Sequence, residues 1–200
     1  MINSKFLSFF LLIGLSFLNV LPIAHYRAIP LENLIDNAAN LSKNGVTFQY
    51  KIFSKSDCRK YLGRKQVWDR GFRPIQIHIF NNTDKCLNIC TKNFSFPCIP
   101  LDQLINYVGF KTSTRLFAWG IPGFFFWPLL IPFIFEAVES PKSNSQLQED
   151  YYYKTLFDQI IQPRSAVNGI VFVAKKHFKS DFSLILNDVS SNEQFKLCSF

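Results

Sequence analysis

The chain has 200 residues, 48% of them hydrophobic, and its 22 Lys/Arg against 14 Asp/Glu give a formal net charge of +8. That length suits one compact domain, alone or with membrane-active segments, and excludes a chain too short to bury a core of its own. The positive excess lies in the first half: residues 25–115 carry 14 Lys/Arg and 6 Asp/Glu, whereas residues 136–200 carry 7 and 8.

Residues 1–24, MINSKFLSFFLLIGLSFLNVLPIA, place Lys5 before an apolar run from Phe6 to Leu21. This is the layout of a secretory signal peptide. Cleavage after Ala24 would put Pro22 where a small residue is usual, so an uncleaved signal anchor is the alternative. The first cysteine, Cys58, is too far from the apolar run for lipid attachment. Residues 25–200 are expected to form a single domain.

Beyond residue 24, Leu31, Leu34, Ile35, Ala38 and Leu41 recur at helical spacing, and the stretch Ile29–Ser42 predicts a short amphipathic helix closed by a turn at Lys43–Gly45. Val46–Phe53 alternates Val46, Phe48, Tyr50 and Ile52 with mostly polar neighbours, as a half-buried strand does. Lys55–Gln66 predicts a brief helix or turn, with Ser56 or Asp57 as cap and Gly63 as breaker. Phe72–Phe80 is the cleanest strand, Ile75, Ile77 and Ile79 alternating with Gln76, His78 and Phe80, and Cys86–Phe96 is expected as its return strand after a turn at Asn81–Lys85.

The period then changes to helical over Ile99–Phe117, with Pro100 and Asp102 at the start and Leu101, Leu104, Ile105 and Val108 along one stripe. It leads into Leu116–Phe135, LFAWGIPGFFFWPLLIPFIF, which has no charged residue. Its Leu, Ile and Phe residues together favour mid-bilayer burial by about 4–7 kcal/mol, but Pro122, Pro128 and Pro132 oppose a straight helix at up to about 3 kcal/mol each. A shallow, re-entrant insertion bent at Gly120–Gly123 is therefore the favoured arrangement, ahead of a full span or a buried hairpin. Ser140–Gln148 is expected as a polar connector, and Leu147–Gln162 as a helix ended by Pro163. Ala166–Ala174, Phe182–Leu186 and Gln194–Phe200 predict three short strands. They are too few to bury a core alone and should complete the sheet begun at Val46.

Gly71–Lys85, GFRPIQIHIFNNTDK, with the later Ile161–Val173, IQPRSAVNGIVFV, resembles exported bacterial envelope proteins with an immunoglobulin-like β-sandwich. The resemblance implies an immunoglobulin-like antiparallel β-sandwich; with the flanking helices and the apolar membrane-interacting insert at 116–135, which depart from a plain sandwich, the expected fold is α+β. The signal-like start and the apolar insert, with this resemblance, give the expected location: membrane-associated and exported, in a bacterial envelope or secreted.

Candidate site residues follow from these patterns. Trp119, Phe124, Phe125, Phe126, Trp127, Phe133 and Phe135 are the candidates for contact with the bilayer interior and its interface, and Lys111 and Arg115 for the headgroups. Within the basic cluster Lys51–Arg73, Arg59, Lys60, Arg64 and Lys65 are the candidates for anionic lipid. The expected partners are membrane lipids and an envelope or host protein; nucleic acid is not expected, because no recognition motif accompanies the charge. No catalytic motif, metal-ligand spacing or cofactor fingerprint occurs, so no cofactor is expected. The function expected is binding or scaffolding at a membrane, with a thiol-dependent enzyme using Cys58 or the group Cys86, Cys90 and Cys98 as the alternative.

Overall fold

A computed structural model describes residues 25–34, 39–111, 130–191 and 193–199. The signal-like segment 1–24 and most of the insert at 116–135 lie outside the described residues. The chain divides into two compact units, Met1–Arg27 with Gly109–Gln148, and Ala28–Val108 with Glu149–Phe200.

The second unit holds two antiparallel sheets. The first begins with β1 (Ala39–Lys43), which pairs with β2 (Val46–Ile52) across Asn44–Gly45. Both turn residues have positive φ, 50° and 79°, the backbone that a two-residue type I′ hairpin demands. The helix expected over Ile29–Ser42 is therefore not formed: residues 25–34 are irregular and Ala39–Lys43 is a strand. Asn-Gly fixes a hairpin, and pairing along β2 outweighs the helical spacing of so short a segment.

β3 (Phe72–Asn81) lies between β2 and β6 (Ser165–Ala174), and all three are antiparallel neighbours, giving the order β1-β2-β3-β6. The second sheet has the order β5-β4-β7-β8, from β4 (Leu87–Ile89), β5 (Gln159–Ile161), β7 (Ser183–Asp188) and β8 (Gln194–Cys198). The stretch expected to return alongside β3 thus supplies only three strand residues, in the other sheet, followed by a 3₁₀ turn at Thr91–Asn93. The register explains it: both edges of β3 are already occupied, by β2 and β6.

The inward faces of the two sheets share one core. Val46, Phe48, Ile75, Ile77 and Ile79 from the first meet Leu87, Ile89, Leu184, Leu186, Phe195 and Leu197 from the second. Each such side chain contributes about 1.5–3 kcal/mol of transfer free energy when fully buried. Asn81, fully buried at the end of β3, ties the sheets at their polar edge: its amide nitrogen reaches the carbonyls of Lys85 at 2.7 Å and Gln162 at 3.1 Å.

Helical segments cover the outer face of the first sheet. α1 (Lys55–Tyr61) starts with a capping box in which the Asp57 amide donates to Ser54 Oγ and the Ser54 amide donates to the Asp57 carboxylate. α2 (Gln66–Asp69) follows, and α3 (Leu101–Val108) buries Leu104 and Val108. α4 (Leu130–Lys154) ends in this unit: the Tyr151 ring stacks on Phe172 at 6.1 Å and its hydroxyl donates to the Leu62 carbonyl. Lys154, also buried, donates to the carbonyls of Ile29 and Tyr61 and to Asp150, satisfying all three of its N–H groups.

The outer edge of β6 is bound by two extended straps. Ile99 N–H donates to Phe172 O at 2.8 Å, and Leu156 N–H donates to Ile170 O at 2.9 Å. Between these straps opens the cleft described below.

In the first unit, α4 runs through Ser140–Gln148, the segment expected as a polar connector. Its buried positions, Ser140, Ser143 and Leu147, keep helical spacing, but two are serines, so the stripe carries little hydropathy. The Asn144 side chain brackets the Phe110 backbone, accepting from its N–H at 2.7 Å and donating to its carbonyl at 3.0 Å. Among the described residues no helix is long and apolar enough to cross a membrane.

Candidate functional site

The basic cluster is less positive than its composition. Lys51 pairs with Asp57 at 3.2 Å, Lys55 with Asp69 at 2.6 Å and Lys60 with Glu32 at 2.8 Å. Hydrogen bonds from Lys60 and from the Tyr61 hydroxyl hold the Glu32 carboxyl below the usual carboxylate range. Arg73 lies 3.6 Å from the centre of the Trp68 ring and donates to the Phe72 carbonyl. Of the four residues expected to meet anionic lipid, Arg64 is buried and Lys60 is paired, while Arg59 and Lys65 are exposed with no ion pair among the described residues. Arg70, exposed on the same stretch, joins them.

Of the residues expected to touch the membrane, Arg115, Trp119, Phe124, Phe125, Phe126 and Trp127 lie outside the described residues, and Phe133 falls within α4. Lys111 is exposed. Phe135 is 54% exposed, and its helix neighbours Ile134 and Val138 are 60% and 62% exposed. Positions 134, 135 and 138 share one side of α4, because residues three and four apart are neighbours on a helix. Large apolar side chains left bare together mark a contact surface more often than isolated ones do.

The cysteines are all free thiols. Burial pushes Cys58 up to about 12, with the nearby Asp57 charge adding to it. Cys98 is also pushed up to about 12 by burial, helped by Asp158 and Cys90. Cys90 donates to the Asp158 carboxylate at 3.1 Å. These surroundings are the reverse of the electropositive ones that activate a thiol as nucleophile.

They do, however, outline a cleft of about 600 Å³ between the two straps on β6. Its apolar lining includes the buried Leu156, Val171 and Phe172, the segment Ile99–Leu101, and Tyr152 and Phe157 at the exposed side. Asp102 and Asp158 supply the charge and Thr91 a hydroxyl. Asp158 is anchored from 67 residues away: the Thr91 N–H donates to it at 2.6 Å and the Thr91 hydroxyl at 2.7 Å. Burial opposes its ionisation, but these two bonds and the Cys90 thiol outweigh burial and leave the carboxyl below its usual range. Asp102, in the first turn of α3, makes no ion pair among the described residues.

Sequence patterns place Asp102 only as a helix start and Tyr152 and Phe157 only as the apolar side of a helix. The pairing of Asp158 with Thr91 has no local signature. Among the described residues no three His, Cys, Asp or Glu side chains converge as a metal site. No protein family, curated protein or solved structure matches the chain.

Proposed function

We propose that this chain is an exported, membrane-associated binding or scaffolding protein, carried on an immunoglobulin-like β-sandwich and held at a membrane by the segment around 116–135. The observation that carries the reading is the exposure of Ile134, Phe135 and Val138 on the first turns of α4, continuous in sequence with the charge-free stretch. The apolar run at residues 6–21 after Lys5 supports export, to a bacterial envelope or beyond it. Membrane lipids are the first partner, with Arg59 and Lys65 free to meet anionic headgroups, and an envelope or host protein is the second.

Strand order supports the immunoglobulin-like part. Taking β2, β3 and β6 as strands A, B and E, and β5, β4, β7 and β8 as C′, C, F and G, reproduces the adjacencies of that family of sandwiches, with β1 extending the first sheet. The chain changes sheet between β3 and β4, between β5 and β6, and between β6 and β7, as B–C, C′–E and E–F connections do. The Cys and Trp of antibody domains are absent from β3, β4 and β7, as they are from the many sandwiches that share this architecture without sequence likeness. The apolar insert then sits between C and C′.

Alkaline carbonate washing of membranes from expressing cells tests the attachment. The protein is expected to stay in the pellet, and complete release into the wash would refute the proposal.

A further inference from the structure

The geometry points to the cleft on β6 as a binding site for a small organic cation, an alkyl- or arylammonium ion whose apolar body enters the cleft. The inference does not rest on membrane attachment, since every residue involved belongs to the two-sheet unit.

Size and lining come first. A volume of about 600 Å³ lies in the range of small-molecule sites, and the inner wall is apolar, with Leu156, Val171 and Phe172 almost fully buried. An apolar moiety inserted there replaces water against the half-buried Ile99 and Leu101 and against the Tyr152 and Phe157 rings.

Charge then selects the sign. Asp102 and Asp158 both line the cleft, and no Lys, Arg or His does among the described residues. Hydrogen bonds hold Asp158 ionised. Lys92 is near enough to Asp158 to favour that ionised form, yet it stands outside the lining. Two carboxylates lining a partly apolar cleft make its potential negative and attract a cation.

The aromatic rim adds the third element. Tyr152 and Phe157 lie with ring centres 5.0 Å apart at a 44° angle, and both line the cleft while keeping substantial exposure, 59% and 39%. An ammonium is attracted to such ring faces, and a quaternary one suits them because it needs no hydrogen-bond acceptor. A primary ammonium would use Asp102, since the Asp158 carboxylate already accepts hydrogen bonds from Thr91 and Cys90.

Calorimetric titration of the full chain in maltoside micelles tests this, with benzyltrimethylammonium as probe and benzyl alcohol and phenylacetate as neutral and anionic controls. The expected result is saturable binding of the cation, with benzyl alcohol at least tenfold weaker and phenylacetate weaker still. Asp102→Asn and Tyr152→Leu alter exposed positions and leave the fold intact, as near-ultraviolet circular dichroism will verify. Each should weaken the cation several-fold, and the Asp102→Asn effect should shrink at high salt. Absence of saturable binding, equal affinity for the alcohol and the cation, or an unchanged affinity in Asp102→Asn would each overturn the inference. None of these outcomes bears on carbonate resistance, so the two proposals fail separately.

Discussion

Gly169 faces Ile77 in the β3–β6 pairing, and a Cβ built on it would stand 2.9 Å from the Leu156 Cα and Cβ. The strap carrying Leu156 is hydrogen-bonded to Ile170, so it is not free to retreat without losing that bond. Gly169→Ala should therefore lower stability by about 1–3 kcal/mol through overpacking. Urea denaturation will show a lower midpoint at unchanged slope; an unchanged midpoint would mean the strap yields freely. His78, half-buried on β3 between Gln49 and Asn168, has its Nδ1 without a hydrogen-bond partner among the described residues. Burial lowers its pKa from the ordinary 6.5, so the unfolded chain binds the proton more readily than the folded one. Stability contributed by neutral His78 is complete above pH 6.5 and is lost as pH falls from there through its folded value. The carboxylates Asp57, Asp158 and Asp188, whose pKa values are lowered from 3.8, lose theirs at more acid pH. Thermal melting between pH 7 and pH 5 should thus slope downward in the wild type and flatten in His78→Gln. Equal slopes would assign the acid sensitivity elsewhere.

Elements whose alternation is strict were legible without structure. β2, β3 and β6 appear where Val46–Tyr50, Ile75–Ile79 and Ala166–Ala174 predict them, because each has an inward face that must meet the core. β1 was obscured by a real helical spacing of Leu and Ile residues, while the decisive signal was the two-residue Asn44–Gly45 turn. That turn is itself testable. Gly45→Ala puts a side chain at φ 79° and within 3.0 Å of the Thr83 methyl, and should cost at least about 1 kcal/mol. In hydrogen exchange, β1 amides should lose protection first, with β3 amides little changed; uniform loss across both would show that the hairpin is not a separable unit. α4 was hidden in another way. Its buried stripe runs Ser140, Ser143, Leu147, Tyr151, Lys154, a regular helical repeat built partly from polar residues, and Pro141 argues locally for a break. The cleft was hidden most completely, because Thr91, Asp102 and Asp158 become neighbours only when two separate straps bind the edge of β6.

At the scale of the whole molecule, an α+β chain with two antiparallel sheets interrupts its strand sequence between β4 and β5 with the helices and the apolar stretch. Both ends of that interruption are fixed to the sheets, at the straps through Ile99 and Leu156. Under the proposed attachment, flanks held by one sheet unit need not lie on opposite sides of a bilayer, which favours insertion from one face. The basic surface plays a smaller part than composition implies, since Lys51, Lys55 and Lys60 are each paired with an acid. Exposed pairs of this kind add little to stability, but they remove charge that a lipid surface would otherwise attract. In the proposed membrane attachment, the apolar stretch would then supply most of the affinity. Flotation of the purified chain with liposomes of mixed neutral and anionic lipid, beside a variant in which residues 116–135 are replaced by a Gly/Ser linker, tests this most directly. The full chain is expected to rise with the vesicles at low and high salt, and the variant, still folded by near-ultraviolet circular dichroism, to stay at the bottom. A full chain that stays at the bottom, or a variant that floats as well as the parent, would contradict it.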